Sequence, residues 1–115
     1  MSSDPIRKWD VFLANLNPPH GTEPGKVRPV VVVQTDLLNG THTSTIVCPL
    51  SSKIWPGSKI LRVHLIPKEA GLSKRTDVLV DQVRAIDNRR FVKKLGRISS
   101  KSAEKLQENL LTLLS

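Results

Sequence analysis

The stretch PVVVVQ, Pro29 to Gln34, sets the fold class of this protein. Four successive β-branched residues are stiff at χ1 and suit a pleated sheet, and with no polar residue between them both faces of the strand are buried. Immediately upstream, NLNPPHGTEPGK (Asn15 to Lys26) holds Pro18, Pro19, Gly21, Pro24 and Gly25. It reads as a long irregular loop, a segment type that often carries function in compact domains. Before that loop, WDVFLA (Trp9 to Ala14) alternates charged and apolar residues before turning wholly apolar, and predicts the first strand. Downstream, Thr35 to His42 turns through Asn39-Gly40, a hairpin signal. TSTIVCPL (Thr43 to Leu50) follows as a strand, with Pro49 near its end or at an edge because proline cannot donate to a ladder.

Working further along, SSKIWPGSK (Ser51 to Lys59) is a second turn-rich loop, and ILRVHLI (Ile60 to Ile66) alternates with Arg62 and His64 on one side. A loop from Pro67 to Thr76 leads into DVLVDQVRAI (Asp77 to Ile86), read as one further strand. Asp87 to Lys94 is expected to form a short helix. From Ser102, the residues Ala103, Leu106, Leu110 and Leu113/Leu114 recur at helical spacing, with Ser99 or Ser100 as the cap. The expectation is a single domain over residues 1–115, mainly β, in which a small antiparallel sheet or barrel is closed by a C-terminal α-helix.

Composition narrows the function. The chain has 115 residues, 38% of them hydrophobic and 24% charged, which is globular rather than disordered. No stretch approaches the ~20 apolar residues of a membrane-spanning helix, and MSSDPIRKWD lacks a signal-peptide core, so a cytoplasmic protein with no membrane association is expected. A single Cys48 excludes an internal disulfide framework. Lys and Arg number 18 against 10 Asp and Glu, a formal charge of +8. Residues 58–115 hold 13 of the basic residues against six acidic ones, so the field is concentrated in the second half. Such a field attracts nucleic acid or an acidic protein, although a solvated basic face also keeps a protein soluble. With no Tyr, two Trp and two Phe, an extended base-stacking platform is not expected.

Nothing in the spacing of His20, His42 and His64 brings two of them together as an acid–base pair. Metal-ligand and phosphate-loop motifs are missing from the sequence, so neither a metal nor any other cofactor is expected. The informative segment is GTEPGKVRPVVVVQ, residues 21–34. Arg28 stands one residue before Pro29, where its base is held by the strand and its guanidinium reaches the loop side. That suits bidentate phosphate recognition, or equally an ordinary salt bridge to a nearby carboxylate.

GTEPGKVRPVVVVQTDLLN resembles the signature of the MazF/PemK toxins of type II toxin–antitoxin systems. KWDVFLANLNP, TIVCPLSS and DVLVDQVRAID agree with the same family in order and spacing, from about residue 7 to the C-terminus. The resemblance implies a small SH3-like β-barrel of the MazF/PemK/CcdB type, a homodimer, and a sequence-specific, metal-independent endoribonuclease that cuts single-stranded RNA. It also implies a cognate acidic, partly disordered antitoxin of the MazE kind.

The catalytic arginine of the family falls on Arg28, its hydroxyl partner on Ser51 where Thr is usual, and its loop glutamate on Glu23. Ser52 is adjacent and competes with Ser51 for the hydroxyl role. Thr22 and Lys26 of the same loop are candidate RNA contacts, as are Asp81 and Gln82, which match the family's late Asp-Gln pair. Leu79 stands where the PemK branch carries a second arginine, so the MazF branch is the better match. Trp55 is a base-stacking or dimer-contact residue, or else a hydrophobic plug over the barrel end. Lys53, Lys59 and Arg84 are candidate phosphate contacts, with solvated surface cations as the ordinary reading. Two other functions remain open on the fold alone: a CcdB-like toxin acting on DNA gyrase without chemistry, and a non-catalytic nucleic-acid-binding barrel.

Overall fold

A computed structural model describes residues 2–17 and 26–115. Among the described residues seven strands precede one α-helix: β1 Asp10–Asn15, β2 Val27–Val32, β3 Ser44–Ser51, β4 Arg62–Leu65, β5 Thr76–Leu79, β6 Arg84–Asp87, β7 Phe91–Arg97 and α1 Ser100–Leu114. All pairings are antiparallel, in the order β4-β5-β3-β2-β1-β7, with β6 also on β3. The valine run occupies β2 in the middle of this order, and Val30, Val31 and Val32 have no exposed surface, as a strand buried on both faces requires. Alternation then divides the interior in two. Val11, Val31 and Cys48 face a core closed by Ala103 and Leu106 of α1. Phe12, Val30, Val32 and Val47 face a second core with Phe91, whose ring lies 4.9 Å from that of Phe12.

Three expectations are corrected. The mainly β fold with a C-terminal helix is as read, but the sheet is not closed into a barrel: among the described residues no pairing joins β4 to β7. The expected strand Asp77–Ile86 is broken into β5 and β6 by a helical turn at Val80–Gln82. Both halves lie along β3, β5 against Leu50 and Ser51 and β6 against Ser44–Val47. The break falls beside Cys48 and Pro49, and Pro49 has no N–H with which to continue a ladder. The expected helix over Asp87–Lys94 is limited to a turn at Asn88–Arg90, after which the chain becomes β7 and pairs with β1. Burial of Phe91 against Phe12 rewards the strand and overrides the helical tendency of the charged run.

The Asn39-Gly40 turn belongs to an eleven-residue connection between β2 and β3 rather than a tight hairpin, with Gly40 at φ +87°. Ser99, one of the two expected caps, accepts the Ser102 N–H at the start of α1. The β4–β5 connection is pressed onto β7: a Cβ on Gly71 would stand 2.1 Å from the Leu95 carbonyl oxygen, and one on Gly96 2.7 Å from that of Ala70. This contact fixes where the segment running up to the site begins.

Candidate active site

Arg28 is the second residue of β2, in register with Ala14 of β1, so its backbone is held by the sheet. Its half-buried side chain crosses toward β3, where Nη1 makes a long contact of 3.4 Å to the Leu50 carbonyl. The next residue of β3 is Ser51. Its hydroxyl oxygen accepts the Lys53 N–H at 3.1 Å, which leaves the O–H as a donor. The two expected catalytic residues therefore come from adjacent strands and line the same groove of about 400 Å³, together with Lys53, Trp55, Asp81 and Gln82. Ser52 lines an adjoining recess with Arg28 and Ser51, so both hydroxyls border the arginine.

The loop from Ser52 to Leu61 forms one wall, and its order has a specific cause. Asp77 of β5 has no exposed surface and lies in register between Ser51 of β3 and His64 of β4. Its Oδ2 accepts the Trp55 N–H at 3.0 Å and Arg62 Nη1 at 3.0 Å, while Oδ1 lies 2.6 Å from His64 Nδ1. Burial by itself pushes this carboxyl up, but the hydrogen bonds from Trp55, His64 and Arg62 outweigh it and hold the group below the usual carboxylate range. Arg62 also donates to the Lys53 carbonyl and stacks on the Trp55 ring at 4.2 Å. Trp55 is 64% exposed, so it does not plug the end of the sheet.

Other expected residues are placed differently. Thr22, Glu23 and His20 lie outside the described residues. Lys26 sits at the loop's exit with φ +65°, its N–H bound by the Asn17 side chain, and does not line the groove. Arg84 is half-buried on β6, beyond the groove lining. His64 is engaged by Asp77 and the Ser58 carbonyl. Cys48 is buried and its thiol is pushed up to about 12 by burial and by the charge of Asp81, so it is not a nucleophile. Sequence reading did not pick out Arg62, which lines the groove, or Asp77, the buried carboxylate that binds the groove wall. The alternation of RVHL hinted at Arg62 and His64, but only the β4–β5 register puts Asp77 between them.

The family model of PemK-like, MazF-like toxins of type II toxin–antitoxin systems matches residues 7–114. The chain belongs to the PemK/MazF toxin family. It is 30% identical over 105 residues to endoribonuclease EndoA of Bacillus subtilis (strain 168), covering 91% of this chain and 90% of that protein. A crystal structure of MazF from Deinococcus radiodurans superposes with a TM-score of 0.82 at 26% identity, covering 97% of this chain and 98% of that one. The MazE-MazF crystal structure from the same organism gives 0.78 at 26% identity, over 97% of each chain. In this PemK/MazF protein Arg28 and Ser51 line one groove, and Asp77 ties together the wall that carries Trp55 and Arg62. Among the described residues no helix is long and apolar enough to cross a membrane.

Proposed function

We propose that this protein is the toxin of a type II toxin–antitoxin pair and acts in the cytoplasm as an endoribonuclease on single-stranded RNA. The observation that supports this reading best is that Arg28 and Ser51, from neighbouring strands, line one groove. In the proposed reaction the RNA 2′-OH attacks the adjacent phosphorus and the bond to the 5′-oxygen breaks, leaving a 2′,3′-cyclic phosphate and a 5′-OH. The hydroxyl requirement spares DNA. Negative charge grows on the non-bridging oxygens, and Arg28 and the Ser51 hydroxyl donate to them, with Ser52 as the alternative donor. Glu23 is the candidate base that takes the 2′-OH proton, and Arg28 the candidate donor of the proton that the departing 5′-oxygen needs to leave as 5′-OH. Lys53, Asp81 and Gln82 hold the strand along the groove, while Thr22, Lys26 and Arg84 are assigned to its approaches. No metal enters the proposed steps.

The partner assignments follow from the same reading. A second copy of the chain covers apolar residues left exposed on α1, among them Leu111 and Leu114. An acidic MazE-like antitoxin is matched to the +8 charge and competes for the groove. The test is cleavage of long single-stranded RNA in EDTA by the protein and by Arg28→Ala. The expected result is fragments with cyclic phosphate and 5′-OH ends, with the variant slower by ~10²–10³ or more and its folding unchanged. Undiminished cutting by Arg28→Ala would refute the assignment of Arg28. Intact RNA with the unaltered protein would favour the gyrase-directed or binding-only functions.

A further inference from the structure

We propose that Asp77 is the positioning residue of the substrate groove, mounting Trp55 and Arg62 as one stacked platform for an unpaired nucleobase beside the scissile phosphate. The inference rests on the endoribonuclease reading and adds to it where the flanking base goes and what holds its receptor.

The loop that carries Trp55 contains Pro56 and Gly57 and has no strand pairing of its own. What fixes it are the Trp55 backbone amide and the Arg62 and His64 side chains, which converge on one carboxylate. Asp77 takes the Trp55 N–H and Arg62 Nη1 on Oδ2, and faces His64 with Oδ1. Arg62 reaches on to the Lys53 carbonyl at 3.0 Å, and His64 Nε2 lies 3.0 Å from the Ser58 carbonyl. Lys53, Trp55 and Ser58 are thereby tied to strands β4 and β5. The tie is also registered to the chemistry, because Asp77 is the direct β5 partner of Ser51.

The product of this bonding is an indole whose ring packs on the Arg62 guanidinium, with 64% of the residue left in solvent. Stabilising a loop by apolar burial would turn the ring inward. Here buried polar bonds hold the backbone while the ring stays out beside Arg28 and Ser51, an arrangement preorganised for stacking on a base. Each base is π-faced, so the platform supplies affinity next to the cleaved bond and fixes how the strand enters.

The experiment measures kcat and KM for cleavage of a single-stranded RNA by Trp55→Ala, Trp55→Phe and Asp77→Asn. Binding is followed in parallel by Trp55 fluorescence in a Trp9→Phe background, using an RNA made uncleavable by a 2′-deoxy at the cut site. Trp55→Ala is expected to raise KM about 5- to 150-fold, the range for one stacked base, with kcat within about threefold. Trp55→Phe should recover most of that loss, and the uncleavable RNA should quench Trp55 emission. Asp77→Asn places an amide against donors that now meet a carboxylate oxygen, so it should raise KM and weaken the quench in the same direction.

An unchanged KM for Trp55→Ala, or no quench by bound RNA, overturns the platform. Loss of dimer in sedimentation with KM unchanged makes Trp55 a dimer contact instead. A folded Asp77→Asn with the KM and quench of the unaltered protein overturns the positioning role alone. If Asp77→Asn fails to fold, the exposed Trp55 variants still decide the platform, and Arg62→Gln tests the tie to Asp77. Failure of the endoribonuclease reading is distinct: the unaltered protein cuts no RNA, whatever the fluorescence does.

Discussion

Gly71 is where the fold leaves least room, and Gly71→Ala is the sharpest test of the packing described above. The residue sits at φ +75°, a conformation that costs an L-residue about 1–2 kcal/mol. An added Cβ would also lie 2.1 Å from the Leu95 carbonyl oxygen and 3.0 Å from its carbon. Ordinary contact needs about 1 Å more, and the obstructing atoms are backbone, so no rotamer change relieves them. Leu95 is moreover the bulged residue of β7, lying between the pairs Val11↔Gly96 and Phe12↔Lys94. Overpacking of this kind costs about 1–3 kcal/mol, which brings the total to about 2–5 kcal/mol of a stability of about 5–15 kcal/mol. Gly40 provides the matched control, with φ +87° and nothing within 4 Å of an added Cβ, so Gly40→Ala bears only the backbone part. At about 4 °C per kcal/mol, thermal unfolding by circular dichroism at fixed protein concentration should lower Tm by about 4–8 °C for Gly40→Ala and about 8–20 °C for Gly71→Ala. Equal losses in the two variants would refute the close approach of the β4–β5 connection to β7.

Two further outcomes are expected. Ser99→Ala removes the cap of α1 and a hydroxyl that donates to Glu69 Oε2 at 3.0 Å, and should cost about 1–2 kcal/mol in urea unfolding; Ser99→Thr, which keeps the hydroxyl, should cost less. The carboxyls of Asp36, Glu69, Asp77 and Asp87 are all held below their ordinary values of 3.8 and 4.5, that of Asp87 at about 2 by Arg89. Depressed carboxyls contribute stability above their unfolded values that is lost as pH falls through the folded ones. Unfolding midpoints should therefore decline from about pH 4.5 toward pH 2, and midpoints unchanged over that range would contradict these hydrogen bonds.

Much of this architecture was legible locally. The valine run, the alternation in WDVFLA and ILRVHLI, and the leucine spacing behind Ser99 are short-range patterns, and each appears near its expected place. Where reading failed, the deciding contact was distant in sequence. Phe91–Arg97 becomes a strand because β1, some eighty residues earlier, offers it a partner and Phe12 a core. Barrel closure required β4 to meet β7, and no local signal specifies whether two edges join.

The site divides along the same line. Residue types and spacing marked Arg28 before Pro29, because anchoring a guanidinium at a strand's entrance is a local matter, whereas Ser51 and Ser52 were marked only by the resemblance to the family. That Arg28 and Ser51 share a groove depends on β2 lying beside β3. The role of Asp77 was invisible in a string where it looks like the polar start of a strand. Its three partners, Trp55, Arg62 and His64, lie 13 to 22 residues away and reach it only through the β4–β5 register and the fold of the intervening loop. A sequence specifies which groups can hydrogen-bond and which must be buried. Which of them meet is set by the pairing of strands, since a buried carboxylate is stable only where the whole sheet brings its donors to one point.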